Sequence, residues 1–466
     1  MTEAAALSKR EKRVPCASCK QPIIDGARKC RTCKAWQPEG PRAPRAAIIM
    51  AITVTSVFSV IATSQKSRID EAPPLTALAG DRAASSSEPS PARVGPDAPT
   101  PGVPPPLSPT RKFATREIRM GDVHPLDIAF SKSGQSIYVS ADDATVREYL
   151  VETGEMVHKA SVPAKGDRLV LLFDRYLAVV RPDPRVARVP VLDVTKWDRD
   201  PVLLEVGAGP VDVLEMQDGS VVVGTTTGHR VSRFALPSGN LLADITLPQS
   251  SGQVFLVRAE GRPHLAALGA MTHAGRPAGA WFDLFDPSEK PFGATRRSVA
   301  VGHDPRPGGV TSDGSAVFFP DFASNSVALL DIGAQTKIRT ADVGQGPIAG
   351  FVMQGDRYGV TINATARTAS VVDLMSKGER MAVSTLMLNG EPRNARLSND
   401  RSTLFVTLGG QGDPPRGQGV AVIGGDPPAV RSTLATGAGA ISVAVAKDGG
   451  RAAVVNYFAK SITVLE

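Results

Sequence analysis

Hydrophobic and polar positions alternate over most of the chain beyond residue 120. Short apolar runs are separated by tight polar turns that end in glycine, such as "KSG", "QDG", "SDG" and "KDG". An alternation with a period of two indicates half-buried strands, and glycine supplies the positive φ that tight hairpin turns need. The pattern therefore predicts an all-β domain built from consecutive hairpins.

The hairpins recur at a nearly constant interval. The first strand of each unit is predicted to start near residues 124, 167, 210, 253, 306, 348, 393 and 441. Units of about 40–45 residues with four strands each are typical of β-propeller blades. Eight blades are favoured, and seven is the alternative because the second and fourth units are degenerate in sequence.

The last unit reaches Glu466 after only three strands. The segment "KFATREIRM", residues 112–120, is expected to supply the missing fourth strand. Such a closure ties the two ends of the domain together and removes the open sheet edges on which chains aggregate. The β-propeller is therefore predicted to span residues 112–466.

Two stretches carry a family resemblance. The segment "DGGRAAVVNYFAKSITVLE", residues 448–466, resembles the YVTN-type β-propeller repeats, with Val454, Val455, Asn456 and Tyr457 at the motif, and "VGQGP" at residues 343–347 fits the corner of that repeat. The resemblance implies the fold. It implies no particular function, because propellers host binding, scaffolding and catalysis.

Polar residues in the loops that are expected on one face of the propeller are the candidates for a site. They are Asp142, Asp143, Arg181, Asp183, His229, His303, Asp304, Asp321, Asn363 and Asn456. A lactonase-like hydrolase would need such side chains to converge on the central channel, and no recurring spacing predicts that they do. Turn-forming or solvated roles are favoured for each, and a structural role is favoured for His124.

Two further interpretations of the propeller have little support. A quinone-dependent dehydrogenase is disfavoured because resemblance to that family would imply recurrent tryptophan docking motifs, and only Trp197 and Trp281 lie in the domain. The tripeptide "NAT" at Asn363 fits a glycosylation acceptor, but such tripeptides also occur by chance.

Residues 46–65, "AAIIMAITVTSVFSVIATSQ", contain no charged side chain. About twenty such residues are long enough to cross a bilayer as a helix. A buried helix of a soluble protein and a cleaved signal peptide are the alternatives. The 45 residues that precede the segment are too many for a signal-peptide n-region, so an uncleaved signal anchor is favoured.

The charge distribution orients this predicted span. The first 45 residues contain eleven Lys or Arg and four Asp or Glu, and they therefore carry the whole formal excess of +7. Positive charge stays in the cytoplasm, which predicts a single-pass protein of the inner membrane with a cytoplasmic N-terminus and a periplasmic propeller. The predicted topology thus accounts for the basic N-terminal region, which begins with a basic tail at residues 1–13. Nucleic acid is therefore a disfavoured partner.

A linker is predicted between the membrane span and the propeller. Residues 66–111 are rich in Pro and Ser, and eleven prolines fall between residues 71 and 110. A segment with so little to bury stays unfolded, and dense proline favours an extended chain. A passive spacer is the favoured interpretation, and recognition by a proline-binding partner is the alternative.

All four cysteines lie in the first 33 residues, in the pattern Cys16-x2-Cys19-x10-Cys30-x2-Cys33. Two CxxC pairs provide four thiolates for a tetrahedral zinc site. Two disulfides would need an oxidising compartment, which the predicted topology opposes. Rubredoxin-like iron and a redox-active thiol pair are further alternatives. The favoured prediction is one structural Zn²⁺ held by all four cysteines, which leaves no coordination position for a substrate.

The cysteine segment "PCASCKQPIIDGARKCRTCKAW" resembles zinc-ribbon domains, and the predicted ribbon covers residues 14–38. The resemblance implies a β-hairpin between the two knuckles, here "KQPIIDGARK" with Asp25-Gly26 as its turn. A closed site of this kind is expected to dock a cytoplasmic protein partner. The whole chain is then expected to be a membrane-anchored binding or scaffold module whose propeller takes a periplasmic protein or glycan, with a lactonase-like hydrolase as the alternative.

Overall fold

The structure is a computed structural model that describes part of the chain. It covers residues 13–15, 22–24, 113–246, 254–258, 265–273, 276–285, 291–292, 297–300, 304–334, 336–412 and 415–466. For 13–15, 22–24, 336–338 and the strands between 254 and 300, only the backbone is described. The chain divides into two units, Met1–Ala98 and Pro99–Glu466.

In the N-terminal unit two short strands pair with each other. Strand β1 (Arg13–Pro15) and strand β2 (Pro22–Ile24) form an antiparallel ladder in which Val14 lies opposite Ile23. The connection between them contains Cys16 and Cys19. The hairpin predicted between the two cysteine pairs includes β2. The described partner of β2, however, is β1, which precedes the cysteines. The strand expected after Asp25-Gly26 lies outside the described residues.

The C-terminal unit consists of four-stranded antiparallel sheets, with strand β3 (Thr115–Arg119) preceding the first of them. The strands of blades 1 to 4 are β4 (Pro125–Phe130), β5 (Ser136–Ala141), β6 (Thr145–Leu150) and β7 (Met156–Ser161); β8 (Arg168–Leu172), β9 (Tyr176–Val180), β10 (Arg188–Asp193) and β11 (Val202–Glu205); β12 (Pro210–Glu215), β13 (Ser220–Thr225), β14 (Arg230–Ala235) and β15 (Leu241–Thr246); and β16 (Val254–Arg258), β17 (Leu265–His273), β18 (Arg276–Phe285) and β19 (Arg297–Ala300). The strands of blades 5 to 8 are β20 (Gly309–Val310), β21 (Ala316–Asp321), β22 (Ser326–Asp331) and β23 (Thr336–Asp342); β24 (Pro347–Met353), β25 (Tyr358–Asn363), β26 (Thr368–Asp373) and β27 (Ala382–Met387); β28 (Asn394–Leu397), β29 (Thr403–Thr407), β30 (Val420–Gly424) and β31 (Ala429–Leu434); and β32 (Ala440–Val445), β33 (Ala452–Asn456) and β34 (Ser461–Leu465), with β3 as the fourth strand.

Consecutive blades touch through their first strands, and the ring is closed because β32 of blade 8 contacts β4 of blade 1. This arrangement is that of a β-propeller. Eight sheets are present, and seven of them have described side chains, whereas blade 4 is described by its backbone. The predicted first-strand positions agree with the observed strands to within three residues, including those of the two degenerate units.

The closure predicted from residues 112–120 is confirmed. Strand β3 pairs with β34 along its whole length, from Thr115 opposite Leu465 to Arg119 opposite Ser461. The backbones of Ala114 and Glu466 exchange two further hydrogen bonds of 2.8 and 3.0 Å. Ile118 is buried in the cluster that blades 1 and 8 share, so the closing strand contributes to the core as well as to the sheet.

The second strand of several blades is buried along its entire length. Strands β5, β13, β21 and β25 each have six buried residues in succession. A blade is covered on both faces by its neighbours, and for this reason its middle strands lose the polar positions that a half-exposed strand would keep. The outermost strands β7 and β27 are almost wholly exposed.

Glycines allow the largest of these side chains to pack between blades 5 and 6. Phe318 is fully buried, and a Cβ added at Gly359 would lie 2.6 Å from its ring. A Cβ added at Gly350 would lie 3.3 Å from the same ring. The two glycines of blade 6 therefore create the space that the phenyl ring of blade 5 occupies.

The described residues contain no helix that is long and apolar enough to cross a membrane. The predicted span, residues 46–65, and the predicted linker, up to residue 111, lie outside the described residues.

Candidate functional site

The central channel is lined by the first strands of the blades. A cavity of about 530 Å³ is bordered there by residues of blades 1, 2, 3, 5, 6 and 7. A second cavity of about 360 Å³ adjoins it and brings in blade 8 through Ile441, Ser442 and Tyr457. The lining is rich in charge, because three aspartates and four arginines border the larger cavity, namely Asp127, Asp167, Asp212, Arg168, Arg306, Arg393 and Arg396.

A β-bulge near the start of the first strand shapes this lining. The register shifts between Pro125 and Asp127 in blade 1 and between Pro210 and Asp212 in blade 3. A bulge adds one residue to one strand of a pair and changes the direction of the side chains that follow it. In both blades the residue directly after the bulge is an aspartate that borders the channel.

Asp127 joins three blades. It is 4% exposed, and its Oδ2 accepts a hydrogen bond of 2.7 Å from the backbone N–H of Leu169 in blade 2. Its Oδ1 accepts a hydrogen bond from the hydroxyl of Ser442 in blade 8. Both carboxylate oxygens thus have fixed donors, and the side chain connects the first strands on either side of blade 1.

Asp212 and Arg168 connect blades 2 and 3. The Nη2 of Arg168 lies 2.9 Å from the Oδ1 of Asp212, which also accepts a 3.0 Å hydrogen bond from the N–H of Val213. The Nη1 of Arg168 donates to the carbonyl of Val211 at 3.3 Å. The Nε of Arg168 is buried and has no hydrogen-bond partner. The Oδ1 of Asp212 thus has two donors, whereas the Nε of Arg168 has none of its hydrogen-bonding capacity used.

Arg306 and Arg393 border the channel from blades 5 and 7. The Nη2 of Arg306 lies 2.7 Å from the Oδ2 of Asp304, and its guanidinium carbon lies 4.5 Å from the ring centre of Phe322. Its Nε, like that of Arg168, is buried without a partner. The Nη1 of Arg393 donates to the carbonyls of Gly410 and Gly412 at 2.9 and 3.1 Å.

Arg396 differs from these arginines. It lies in β28, borders the larger cavity and is partly buried. Within the part of the chain that the structure describes, no hydrogen bond or ion pair reaches its guanidinium. Burial, and after it the nearby charge of Arg168, lower the pKa of Arg396, whereas Asp127 and Asp212 act in the opposite direction.

A second charged group lies at the edge of the channel in blade 2. Arg181 is placed between Asp167, with Nη1 to Oδ1 at 3.8 Å, and Asp183, with Nη2 to Oδ2 at 3.4 Å. Asp183 also pairs with the exposed Arg185 at 2.7 Å. Burial raises the pKa of Asp167 above its ordinary value. Of the residues predicted from the sequence, Asp304 and Arg181 pair with residues that border the cavity, Asp304 with Arg306 at 2.7 Å and Arg181 with Asp167 at 3.8 Å.

The asparagines proposed as loop candidates have structural roles, and their assignment to loops was wrong. Asn363 ends β25 and Asn456 ends β33, and both are fully buried. The amide of Asn363 donates to Thr368 and Ser370 at 3.0 and 2.9 Å. Buried as it is within its own hairpin, Asn363 is not exposed as a glycosylation acceptor would be.

Most of the remaining loop candidates stabilise turns. Asp142 accepts the backbone N–H of His124 at 3.0 Å, and Asp143 pairs with Arg147 at 2.7 Å. Asp321 accepts the N–H groups of residues 304 and 323. His229 lies in the turn between β13 and β14 with a φ of 50°, and residue 303 lies outside the described residues.

His124 is held against blade 8. Its Nδ1 lies 2.8 Å from the carbonyl oxygen of Tyr457, and its ring stacks on that of Tyr457 with centres 4.6 Å apart. These contacts agree with the structural role that the sequence favoured.

The sequence reasoning missed the residues that converge in the channel. The signal was present in part, because "PLD" at residues 125–127 and "PVD" at residues 210–212 open two blades with the same corner. Arg168 and Arg396 had no comparable signal, since blades 2 and 7 do not begin with this Pro-x-Asp sequence. Their proximity arises only when the ring brings blades 2 and 7 to the same channel.

The predicted zinc ligands Cys16, Cys19, Cys30 and Cys33 lie outside the described residues. Among the residues that the structure does describe, no group of His, Cys, Asp and Glu side chains is placed to hold a metal ion.

The described lining of the channel is suited to recognition by charge and hydrogen bonds. It contains neither histidine nor cysteine among the residues that border the two cavities. Of its two most buried aspartates, Asp127 accepts a hydrogen bond from Leu169 of blade 2, and Asp212 pairs with Arg168 of the same blade. Among the described lining residues, the Nε groups of Arg168 and Arg306 and the guanidinium of Arg396 have no hydrogen-bond partner.

No protein-family model matches the sequence. No curated protein matches it either. Among solved structures, a chain of the Kuenenia stuttgartiensis hydrazine synthase matches with a TM-score of 0.49 and 14% sequence identity. The match covers 74% of this chain and 96% of that one. No conclusion about function follows from a similarity at this level.

Proposed function

We propose that this protein is a membrane-anchored binding module. Residues 46–65 anchor it in the inner membrane, the N-terminal segment is cytoplasmic, and the propeller is periplasmic. The propeller binds a ligand at its channel, either a small molecule or an exposed group of a protein or glycan. A cytoplasmic zinc ribbon, with one Zn²⁺ held by Cys16, Cys19, Cys30 and Cys33, docks a protein partner.

The state of the channel carboxylates supports binding over catalysis. A general base must be able to accept a proton from a substrate or water. Both oxygens of Asp127 and the Oδ1 of Asp212 accept hydrogen bonds from the protein instead. These aspartates connect blades, and what remains for a ligand is a charged cavity of a size that suits small molecules.

A lactonase-like hydrolase is the second candidate. The observation in its favour is that arginines and aspartates of several blades do meet at one cavity. Asp167 also supports the hydrolase, because burial raises the pKa of its carboxyl group, and this shift is toward the range of a general base. A histidine partner would have to come from outside the described lining.

One experiment separates the two candidates. The full chain, purified in detergent, is screened by thermal shift against small metabolites and soluble glycans, and in parallel for hydrolysis of simple γ- and δ-lactones. A bound ligand is expected to raise the melting temperature in a saturable way, and lactones are expected to remain intact.

The double variant R168Q/D212N tests the place of binding. It removes both charges of the pair and keeps its hydrogen-bonding shape, so the ligand-induced shift should be lost without unfolding the chain. The matched control is R188Q, because Arg188 forms an ion pair with Glu205 on the exposed surface. Lactone hydrolysis that disappears in R168Q/D212N and persists in R188Q would refute the binding proposal and support the hydrolase.

A further inference from the structure

The charges of the channel are unevenly paired. Arg168 is paired with Asp212, Arg306 with Asp304, and Arg181 lies between Asp167 and Asp183. Blade 7 contributes Arg396, which no ion pair reaches in the described part of the chain. The cavity is therefore bordered by one arginine whose charge has no paired carboxylate.

An arginine in the position of Arg396 is costly without a partner. A guanidinium remains charged at neutral pH, and a partly buried charge needs hydrogen bonds or a counter-ion to offset the hydration that it loses. The nearby Arg168 adds repulsion, since it is the cation that lowers the tendency of Arg396 to hold its proton. Asp127 and Asp212 attract Arg396, but both oxygens of Asp127 and the Oδ1 of Asp212 already accept hydrogen bonds from other groups.

Two further donors at the cavity also lack a hydrogen-bond partner. The Nε groups of Arg168 and Arg306 are buried and lack hydrogen-bond partners, and both side chains border the cavity with Arg396. A buried donor without a partner costs about 1–3 kcal/mol. Blades 2, 5 and 7 thus each contribute to this one cavity an arginine that is incompletely satisfied.

We propose that the channel binds a small anion, a carboxylate or an inorganic oxyanion, between Arg168 and Arg396. The inference rests on the proposed binding function and specifies the ligand class for the same cavity. The planar guanidinium of Arg396 matches the two oxygens of a carboxylate, sulfate or phosphate, and such charge-assisted pairs are stronger than neutral hydrogen bonds. The anion also offsets the repulsion between the two arginines.

The surroundings limit the size and charge of the ligand. A cavity of about 530 Å³ admits a small molecule. Asp127, Asp167 and Asp212 border the same space and disfavour an extended polyanion, so nucleic acid does not fit. A compact ligand with one anionic group satisfies Arg396 and leaves its other end near the aspartates, where a hydroxyl or ammonium group is favoured.

The proposal is tested on the full chain in detergent, with three probes added separately at millimolar concentration. Lactate, which has one carboxylate and one hydroxyl, tests an organic carboxylate, inorganic sulfate tests an oxyanion, and glucose serves as an uncharged probe. The readout is the melting temperature and the heat of binding. Lactate or sulfate is expected to bind in a saturable way, and the probe that binds more tightly identifies which source of anionic charge the site prefers.

The variants R396Q and R396K locate the site. R396Q is expected to weaken anion binding about tenfold or more, because a charged hydrogen-bonding partner is lost. R396K keeps the charge but not the planar fork, so its affinity is expected to be intermediate. R380Q is the matched control, because Arg380 pairs with Asp342 at the exposed surface.

Folding is checked in the absence of any anion. R396Q is expected to melt at or above the temperature of the unsubstituted chain, since it removes an unpaired and repelled charge. If R396Q does not fold, the affinity of R396K for the anions is compared with those of the unsubstituted chain and R380Q instead. Anion binding that is equal in R396Q, R396K and R380Q overturns the proposal, and so does the absence of binding to both anions.

The outcome for glucose keeps the two proposals apart. Glucose, or a ligand found in the metabolite and glycan screen, that binds while both anions fail would overturn the anion site and leave the binding function intact.

Discussion

At the scale of single residues, buried polar side chains in this propeller act mainly as connections between strands. Asn456 is fully buried, and its amide donates to Ser461 and Thr463 at 3.1 and 2.8 Å. Asn363 makes the same pair of contacts to residues five and seven positions further along the chain. Each of these two asparagines therefore joins the end of the second strand of its blade to the start of the third strand.

The first residue-scale prediction concerns acid stability in blade 2. Arg175 forms a two-pronged contact with Asp193, with Nε to Oδ1 at 3.1 Å and Nη2 to Oδ2 at 2.6 Å. The hydrogen bond from Arg175 is the main cause that lowers the pKa of Asp193 below its ordinary value. A lowered pKa contributes stability that is fully present above the unfolded pKa of about 3.9 and is lost as the pH falls through the folded value.

The substitution Asp193→Asn should therefore lower the melting temperature at pH 7 and reduce the further loss between about pH 4 and pH 2. Thermal unfolding across this pH range measures both effects. The control is Asp198→Asn, an exposed position of the same blade. Equal acid sensitivity in D193N and the unsubstituted chain would contradict the prediction.

The second residue-scale prediction concerns the cysteines. If Cys16, Cys19, Cys30 and Cys33 form one tetrahedral site, the purified chain should contain about one zinc ion per molecule. Cys19→Ser removes one ligand and should lower this value strongly, whereas Ser18→Ala, within the same knuckle, should not. Metal analysis by mass spectrometry gives the answer, and iron or no metal in the unsubstituted chain would exclude the zinc assignment.

At the scale of elements, the strands were predictable because their signal is local. Alternation and glycine turns located the first strands of all eight blades, and the segment from residue 112 to 120 was correctly assigned to the closing strand. Blade 5 shows the limit of this reasoning, since its first strand has only two residues, Gly309–Val310. A Cβ at Gly309 would lie 2.8 Å from the backbone nitrogen of Val352, so close contact with blade 6 shapes this strand.

The element-scale prediction tests the closing strand β3. Ile118 is 4% exposed and packs into the cluster shared by blades 1 and 8. Ile118→Asp would bury a carboxylate in that cluster, and it should lower the free energy of unfolding by about 3 kcal/mol or more.

The neighbouring Arg119 provides the control, because it is exposed on the same strand. Chemical unfolding followed by circular dichroism should give a much smaller change for Arg119→Asp than for Ile118→Asp. Similar stabilities of the two variants would mean that β3 is not needed to close the ring.

At the scale of the whole molecule, the site was harder to predict than the fold. Arg168 and Arg396 are separated by most of the propeller in sequence, and no repeat spacing relates them. They meet because the innermost strands of all blades surround one channel, and this convergence depends on the complete ring. Most of the polar loop residues have the turn-stabilising roles that the sequence favoured, since polar residues at turns commonly bond to the backbone of the turn itself.

The prediction at this scale concerns topology. If the basic N-terminal segment stays in the cytoplasm, a reporter that is active only in the periplasm should be active when fused after residue 110. The same reporter fused after residue 40, ahead of the predicted span, should be inactive. An inactive fusion at residue 110 would reverse the orientation and with it the proposed location of the propeller.

The ladder between β3 and β34 has a mechanical consequence. The chain that precedes residue 113 enters the propeller through β3, whose partner along five residue pairs is β34. Tension on that chain would therefore load this ladder before any other blade. The force at which β3 detaches would set the load that the domain withstands before its ring opens, so the seam that closes the ring is also the first ladder to bear tension.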